Sequence, residues 1–211
     1  MNSPIVLTQQ ASEIERNGLR PSSPGLKQPM DPLSEVLALM KPQSLSCGGF
    51  GIPEDLSIYF PKHKGVKCYA MLAGECWLAV EGAEKPVLLR AGDCFLLPRG
   101  LPFRLTTNLA LEPVHYTLAL ERLRQSNSVS PSESGRYMAG GFFAFTGSHA
   151  ELLLQSLPPI VHLSRESDKA AMRWSLERMR EELRDPQPGG SLIAQQLAYM
   201  MLIQALRLHL A

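Results

Sequence analysis

Side chains able to do chemistry are few in this 211-residue chain, and their spacing says more than their number. The four cysteines, Cys47, Cys68, Cys76 and Cys94, form no Cys-x-x-Cys pair, the arrangement a redox dithiol or a thiolate zinc site uses. Three of them lie in apolar runs, where a free thiol packs as a small hydrophobe. Cys47 differs: it sits in "SLSCGGFG", flexible by its glycines, and is the redox candidate of the chain. His115 and the cysteines near it show no ligand spacing. No Ser/His/Asp order, glycine-rich phosphate loop or pair of carboxylates on a shared helix face is present, so the sequence gives no support to catalysis of those kinds.

Composition narrows the partners. The 21 Lys+Arg against 20 Asp+Glu leave a net charge of +1, without the basic excess of a nucleic-acid-binding surface. No run reaches the roughly 18 apolar residues of a membrane helix. Residues 1–29 lack the basic start and apolar core of a secretory signal, so a cytoplasmic location is expected and no membrane partner.

The elements that must position any site follow from punctuation and periodicity. Residues 1–29 are rich in Pro, Ser, Gln and Asn and read as a flexible extension. In "MDPLSEVLALMKP", Asp31 can cap a short amphipathic helix and Pro42 stops it. Between Ile58 and Leu120 the runs "VKCYAML", "ECWLAV", "PVLL", "CFLLP", "FRLTT" and "VHYTLAL" are separated by glycine-containing turns, which predicts an antiparallel sandwich or barrel. A polar loop over 127–135 leads to "YMAGGFFAF", a strand returning to the barrel. Beyond Gly147 the pattern is helical: "SHAELLLQSLPP", then 164–184, then 191–210. In the second of these, Met172, Leu176, Met179 and Leu183 step by four, three and four residues, the spacing of a seam against another helix and a candidate dimerisation face. The last helix is apolar on almost every face, which predicts cover by a partner subunit.

The turn "AGDCFLLPRGLPFRL" resembles the second motif of the cupin superfamily, with Gly92, Pro98 and Gly100 in place, Phe103 where a His ligand belongs, and Asn108 one position late. Counting back from Gly74, the first cupin motif puts Lys67 at its Glu place and Pro61 and His63 at its His places. Three of four ligand positions are lost, and an ammonium beside the cavity would oppose a cation. The resemblance therefore implies a barrel without a metal and without any cofactor. Such a lumen suits an organic ligand, and His63, Tyr69, Trp77, Phe95 and Phe103 are its candidate lining. Strand alternation allows about half of these to face inward. Arg99 and Arg104 read as surface charges.

Taken in order, "MDPLSEVLALMKP", "CWLAVEG", "VLLRAGDCFLLPRGLPF", "LLLQSLPPIVHL" and "PGGSLIAQQLAYMMLIQALRLHL" resemble the amino-terminal half of AraC/XylS-type transcriptional regulators, over residues 30–211. The resemblance implies an α+β chain: a small antiparallel cupin barrel over 30–163, followed by a helical dimerisation segment over 164–211. It implies a small-molecule effector, a homodimer, and DNA contact only through a carboxy-terminal helix-turn-helix domain that is absent from this chain. The last helix, with Arg207 and His209 its potentially cationic side chains, is too apolar to face phosphates. Two other functions stay open: a cupin metalloenzyme, isomerase or oxygenase, and an oxidant sensor built on Cys47.

Overall fold

Glycine and proline turns cut the middle of the chain into strands too short to stand alone, so each must pair early with its neighbours. The structure, a computed structural model, describes residues 31–40, 43–125, 135–145 and 148–210. The extension expected over 1–29 and the polar loop over 127–134 lie outside the described residues. The elements are α1 (Pro32–Met40), β1 (Gln43–Gly51), β2 (Ser57–Phe60), β3 (Val66–Ala73), β4 (Glu75–Val80), β5 (Val87–Arg90), β6 (Cys94–Leu97) and β7 (Phe103–Thr106). They continue with β8 (Val114–His115), α2 (Tyr116–Gln125), β9 (Tyr137–Ala144), α3 (Ser148–Ser156), β10 (Val161–Leu163), α4 (Glu166–Arg184) and α5 (Gly190–Leu210).

Two five-stranded sheets result, one in the order β1-β9-β3-β6-β10 and the other β5-β4-β7-β2-β8. Their facing sides enclose one apolar cluster, which takes Ile58, Leu78, Leu89, Phe103 and Leu105 from the second sheet and Met71, Phe95, Leu97 and Met138 from the first. The outer side of the first sheet carries a second cluster: Val66, Cys68, Ala70, Cys94, Leu96 and Phe143 pack with Met172, Leu176 and Met179 of α4 and with Leu197, Met201 and Leu202 of α5. The first sheet is thus buried on both sides, and β6 has no exposed residue. Barrel and helical pair lie in one compact unit, Leu33–Ala211.

Three elements depart from the sequence reading. The segment "VHYTLAL" gives only a two-residue strand, paired in parallel with β2, and then turns into α2. Its half-buried or buried positions, Tyr116, Ala119, Leu120 and Leu123, follow helical spacing, which the local alternation disguised. "SLSCGGFG" is a strand instead of a flexible segment, because it pairs along its length with β9, with Cys47 opposite Gly141 and Gly48 opposite Gly140. A Cβ at Gly140 would stand 2.2 Å from the Cys68 carbonyl oxygen and one at Gly141 3.0 Å from the Ala198 Cβ, so these glycines let strand and helix approach. Finally, β10 had no separate prediction.

A buried carboxylate ties α4 to the barrel. Asp93, in the β5–β6 turn, accepts the Arg90 N–H at 3.0 Å and faces His162 Nε2 of β10 at 2.9 Å. Lys169 Nζ of α4 is 3.1 Å from its other oxygen. Burial alone would push the Asp93 carboxyl up, but the Arg90 amide, His162 and Lys169 together hold it below its ordinary value. The contribution is therefore complete above the usual carboxylate range and is lost as pH falls through the depressed folded value. Asp93→Asn is expected to cost about 1–3 kcal/mol at neutral pH, and thermal melts of parent and variant should converge on acidification; a gap that persists at acid pH would contradict this role.

Candidate ligand-binding site

The site begins at the turn that fits the cupin spacing. Gly100 has φ +61, and a Cβ there would lie 2.0 Å from the His63 carbonyl oxygen, so only glycine fits. The His63 N–H donates to the Gly100 carbonyl at 2.9 Å. The turn after β6 thereby holds the β2–β3 loop, and His63 with it, over the open end of the barrel.

Below that loop lies a cavity of about 410 Å³. Alternation along the strands supplies its walls: Lys67 and Tyr69 from β3, Phe95 from β6, Phe103 and Leu105 from β7, Met138 and Phe142 from β9, and Phe60 from β2. Tyr116 and Leu120 of α2 close one side, and Ser46 and Phe50 of β1 another. Phe60 and Phe103 stack at 4.4 Å between centroids with 5° between planes. His63 meets Phe103 edge-on at 5.9 Å and Phe142 at 6.0 Å.

Besides Ser46, Lys62 and the two tyrosines of the wall, Lys67 and His63 are the polar side chains set among the rings. Lys67 Nζ stands 5.6, 5.9 and 5.0 Å from the ring centroids of Phe60, Phe103 and Phe142, a cage of ring faces that attracts a cation. Burial draws the Lys67 ammonium below its ordinary value. Burial also lowers His63, to about 4, reinforced by the charge of Lys67, so the imidazole is neutral at physiological pH. The Pro61 backbone beside the His63 ring offsets only part of this lowering.

This donor set does not fit the metal of a cupin enzyme. The four places its ligands would take hold a proline, one neutral imidazole, one caged ammonium and one phenyl ring, and an ammonium among them repels a cation. Among the described residues no group of three or more His, Cys, Asp or Glu side chains could hold a metal ion.

The sequence-derived residues sort clearly. His63, Tyr69, Phe95 and Phe103 meet around the cavity. Trp77 does not: in β4 the inward positions are Cys76, Leu78 and Val80, and Trp77, between them, takes the outer face. The one-residue parity was the error. Met172, Leu176 and Met179 are buried on α5 and the barrel of their own chain, with partly buried Leu183 packed against the same cluster; the seam expected between subunits is spent within one. Cys47 is no poised thiol: burial pushes it up to about 11, and its Sγ donates to the Ala194 carbonyl at 3.3 Å. Arg99 is exposed and Arg104 donates to Ser57 Oγ at 3.0 Å and to the Leu109 carbonyl at 3.4 Å, which braces a loop and leaves the cavity alone. Sequence reasoning treated Lys67 as a lost ligand and missed its place beside Tyr69 on the inward row, although the two-residue step from Tyr69 carried that information.

A family model described as "Cupin" matches residues 31–211. Two relatives, from Streptomyces lividans and Streptomyces antibioticus, are each named as an AraC-like transcription regulator and are each 34% identical over 182 residues, 86% of this chain. The chain spans 60% of the length of these relatives. Among solved structures, ToxT from Vibrio cholerae O395 is 11% identical, with a TM-score of 0.38 over 75% of this chain and 54% of that one. Barrel, turn spacing and the match over residues 31–211 agree: the chain belongs to the cupin family, of the type found in AraC-like transcription regulators.

Proposed function

We propose that this domain is the cytoplasmic effector-sensing part of an AraC-like transcription regulator, holding a small, mainly apolar organic molecule in a metal-free barrel. The observation that carries this reading is the cavity: about 410 Å³, inside the roughly 300–1,000 Å³ of small-molecule sites, with aromatic walls and few polar groups. A cupin metalloenzyme would need a metal donor set, and the wall, with His63 beside a caged Lys67 and no carboxylate, does not supply one. DNA contact belongs, in this reading, to another part of the regulator.

Strand β1 is the route by which occupancy would be reported. Its Ser46 and Phe50 line the cavity, while Cys47 between them bonds the Ala194 carbonyl of α5. A ligand that presses on Phe50 more favourably in one placement of β1 than in another shifts α5 with it, by as much as its affinities differ.

The homodimer is assigned to a different face than the α4 seam. On α5, Leu192, Ile193, Met200 and Leu210 are exposed, and they fall within about 100° of one another around a helix of 3.6 residues per turn. Exposed Gln196 and Arg207 fall in the same arc, and this mainly apolar stripe is the surface for a second copy of the chain.

Two measurements test the reading. Leu120→Trp, which fills the cavity from α2, should leave the fold intact by circular dichroism yet abolish the thermal shift that apolar aromatic compounds give the parent; an unchanged shift would place binding elsewhere. Met200→Asp should halve the mass seen by sedimentation with a melting temperature close to the parent's. Leu176→Asp, by contrast, should lower the melting temperature sharply, since it buries a charge in one subunit's core; a stable Leu176→Asp monomer would return the interface to α4.

A further inference from the structure

We infer that the cavity selects a single negative charge: its ligand is an amphipathic monocarboxylate whose carboxylate meets Lys67 and whose apolar body fills the space between the aromatic walls. This rests on the barrel being a ligand receptacle and names the chemical class it takes.

The argument starts from the cost of a lysine in that place. Strand β3 lies in a sheet buried on both sides, and Lys67 breaks its run of Val, Cys, Ala, Met and Tyr. Long side chains of this kind normally carry their charge out to water. Here the ammonium stays among the rings of Phe60, Phe103 and Phe142. Lys67 is half-buried, and a charge partly withdrawn from water is stabilised by an opposite charge beside it. Among the described residues the ion pairs lie elsewhere: Arg90 with Glu75, Asp93 with His162 and Lys169, Lys169 with Glu166, and Arg178 with Glu181 and Glu182. The ring faces meet part of the demand, and the rest falls to whatever enters the cavity.

The remaining walls limit that occupant. No Asp or Glu lines the cavity, so a cationic ligand would face Lys67 without compensation. His63 is neutral at physiological pH, and Lys62, also on the wall, is exposed to solvent screening. Lys67 is the charge held among the rings, which matches a monoanion; a phosphate dianion would find its second cation only in the solvent-screened Lys62. The rest of the wall is Phe, Tyr, Leu and Met with Pro61 and Ser46, suited to an aromatic or alkyl body.

Matched probes differing only in the head group test this: 2-naphthoate against 2-naphthylmethanol, and decanoate against decanol, by calorimetry at neutral pH. In the parent the carboxylate of each pair should bind at least about tenfold more tightly, the worth of one charge-assisted hydrogen bond. Lys67→Met should erase that margin and still bind the alcohols, while Lys67→Arg keeps it; Lys67→Gln serves if the Met variant does not fold. Binding of 2-naphthoate, but not of the alcohol, should also raise the NMR titration midpoint of His63 from about 4, because the carboxylate offsets the Lys67 charge. Equal affinities within a pair, or a margin that survives in Lys67→Met, overturns the charge assignment and leaves the receptacle standing. Failure of all four probes to bind the parent overturns both.

Discussion

A sheet without a solvent face is the constraint on which the rest of this domain depends. β1, β9, β3, β6 and β10 are pressed between the α4–α5 layer on one side and the opposing sheet on the other. Every side chain there must be apolar, small, or supplied with a partner. Cys68, Ala70, Cys94 and Leu96 answer the demand on the helix side, and the glycines of β1 and β9 answer it by having no side chain to accommodate. Asp93 answers it with three partners. Lys67 is the polar member of this sheet answered only by ring faces, and it points at a cavity.

The same constraint explains why the turn frame of a cupin barrel stands here without the cupin ligand set. Gly92, Pro98 and Gly100 still shape the turn, since Gly100 must fit against the His63 backbone whatever the cavity contains. Phe103, in place of a ligand, stacks on Phe60 and presents its face to Lys67. Where a cupin coordination site would lie stands an aromatic box around Lys67. β1 then borders the box on one side and α5 on the other, so the cavity and the helical layer share a wall.

Much of this could be read from the sequence, for identifiable reasons. Turn glycines and two-residue alternation are local signals, and they delivered the barrel strands from β3 to β7 and four of the five expected wall residues. Trp77 was misplaced because composition marks an aromatic side chain without revealing which face it takes, and a one-residue parity decides that. The α4 seam was real as a packing stripe, but periodicity does not say whether its partner helix belongs to the same chain. β1 was misread because its stability comes from a strand some 90 residues away, a pairing no local pattern contains. Lys67 was seen only as a missing ligand; its cage needs Phe60, Phe103 and Phe142 from three different strands, which only the fold brings together.

The central claim is an open, aromatic chamber with the Lys67 ammonium caged on its wall. A crystal structure of the domain soaked with 2-naphthoate tests it most directly. The account predicts the naphthyl rings in the space bounded by Tyr69, Phe95 and Phe103, with the carboxylate within hydrogen-bonding distance of Lys67 Nζ. A chamber closed by packed side chains, or a metal ion bound at His63, would contradict it.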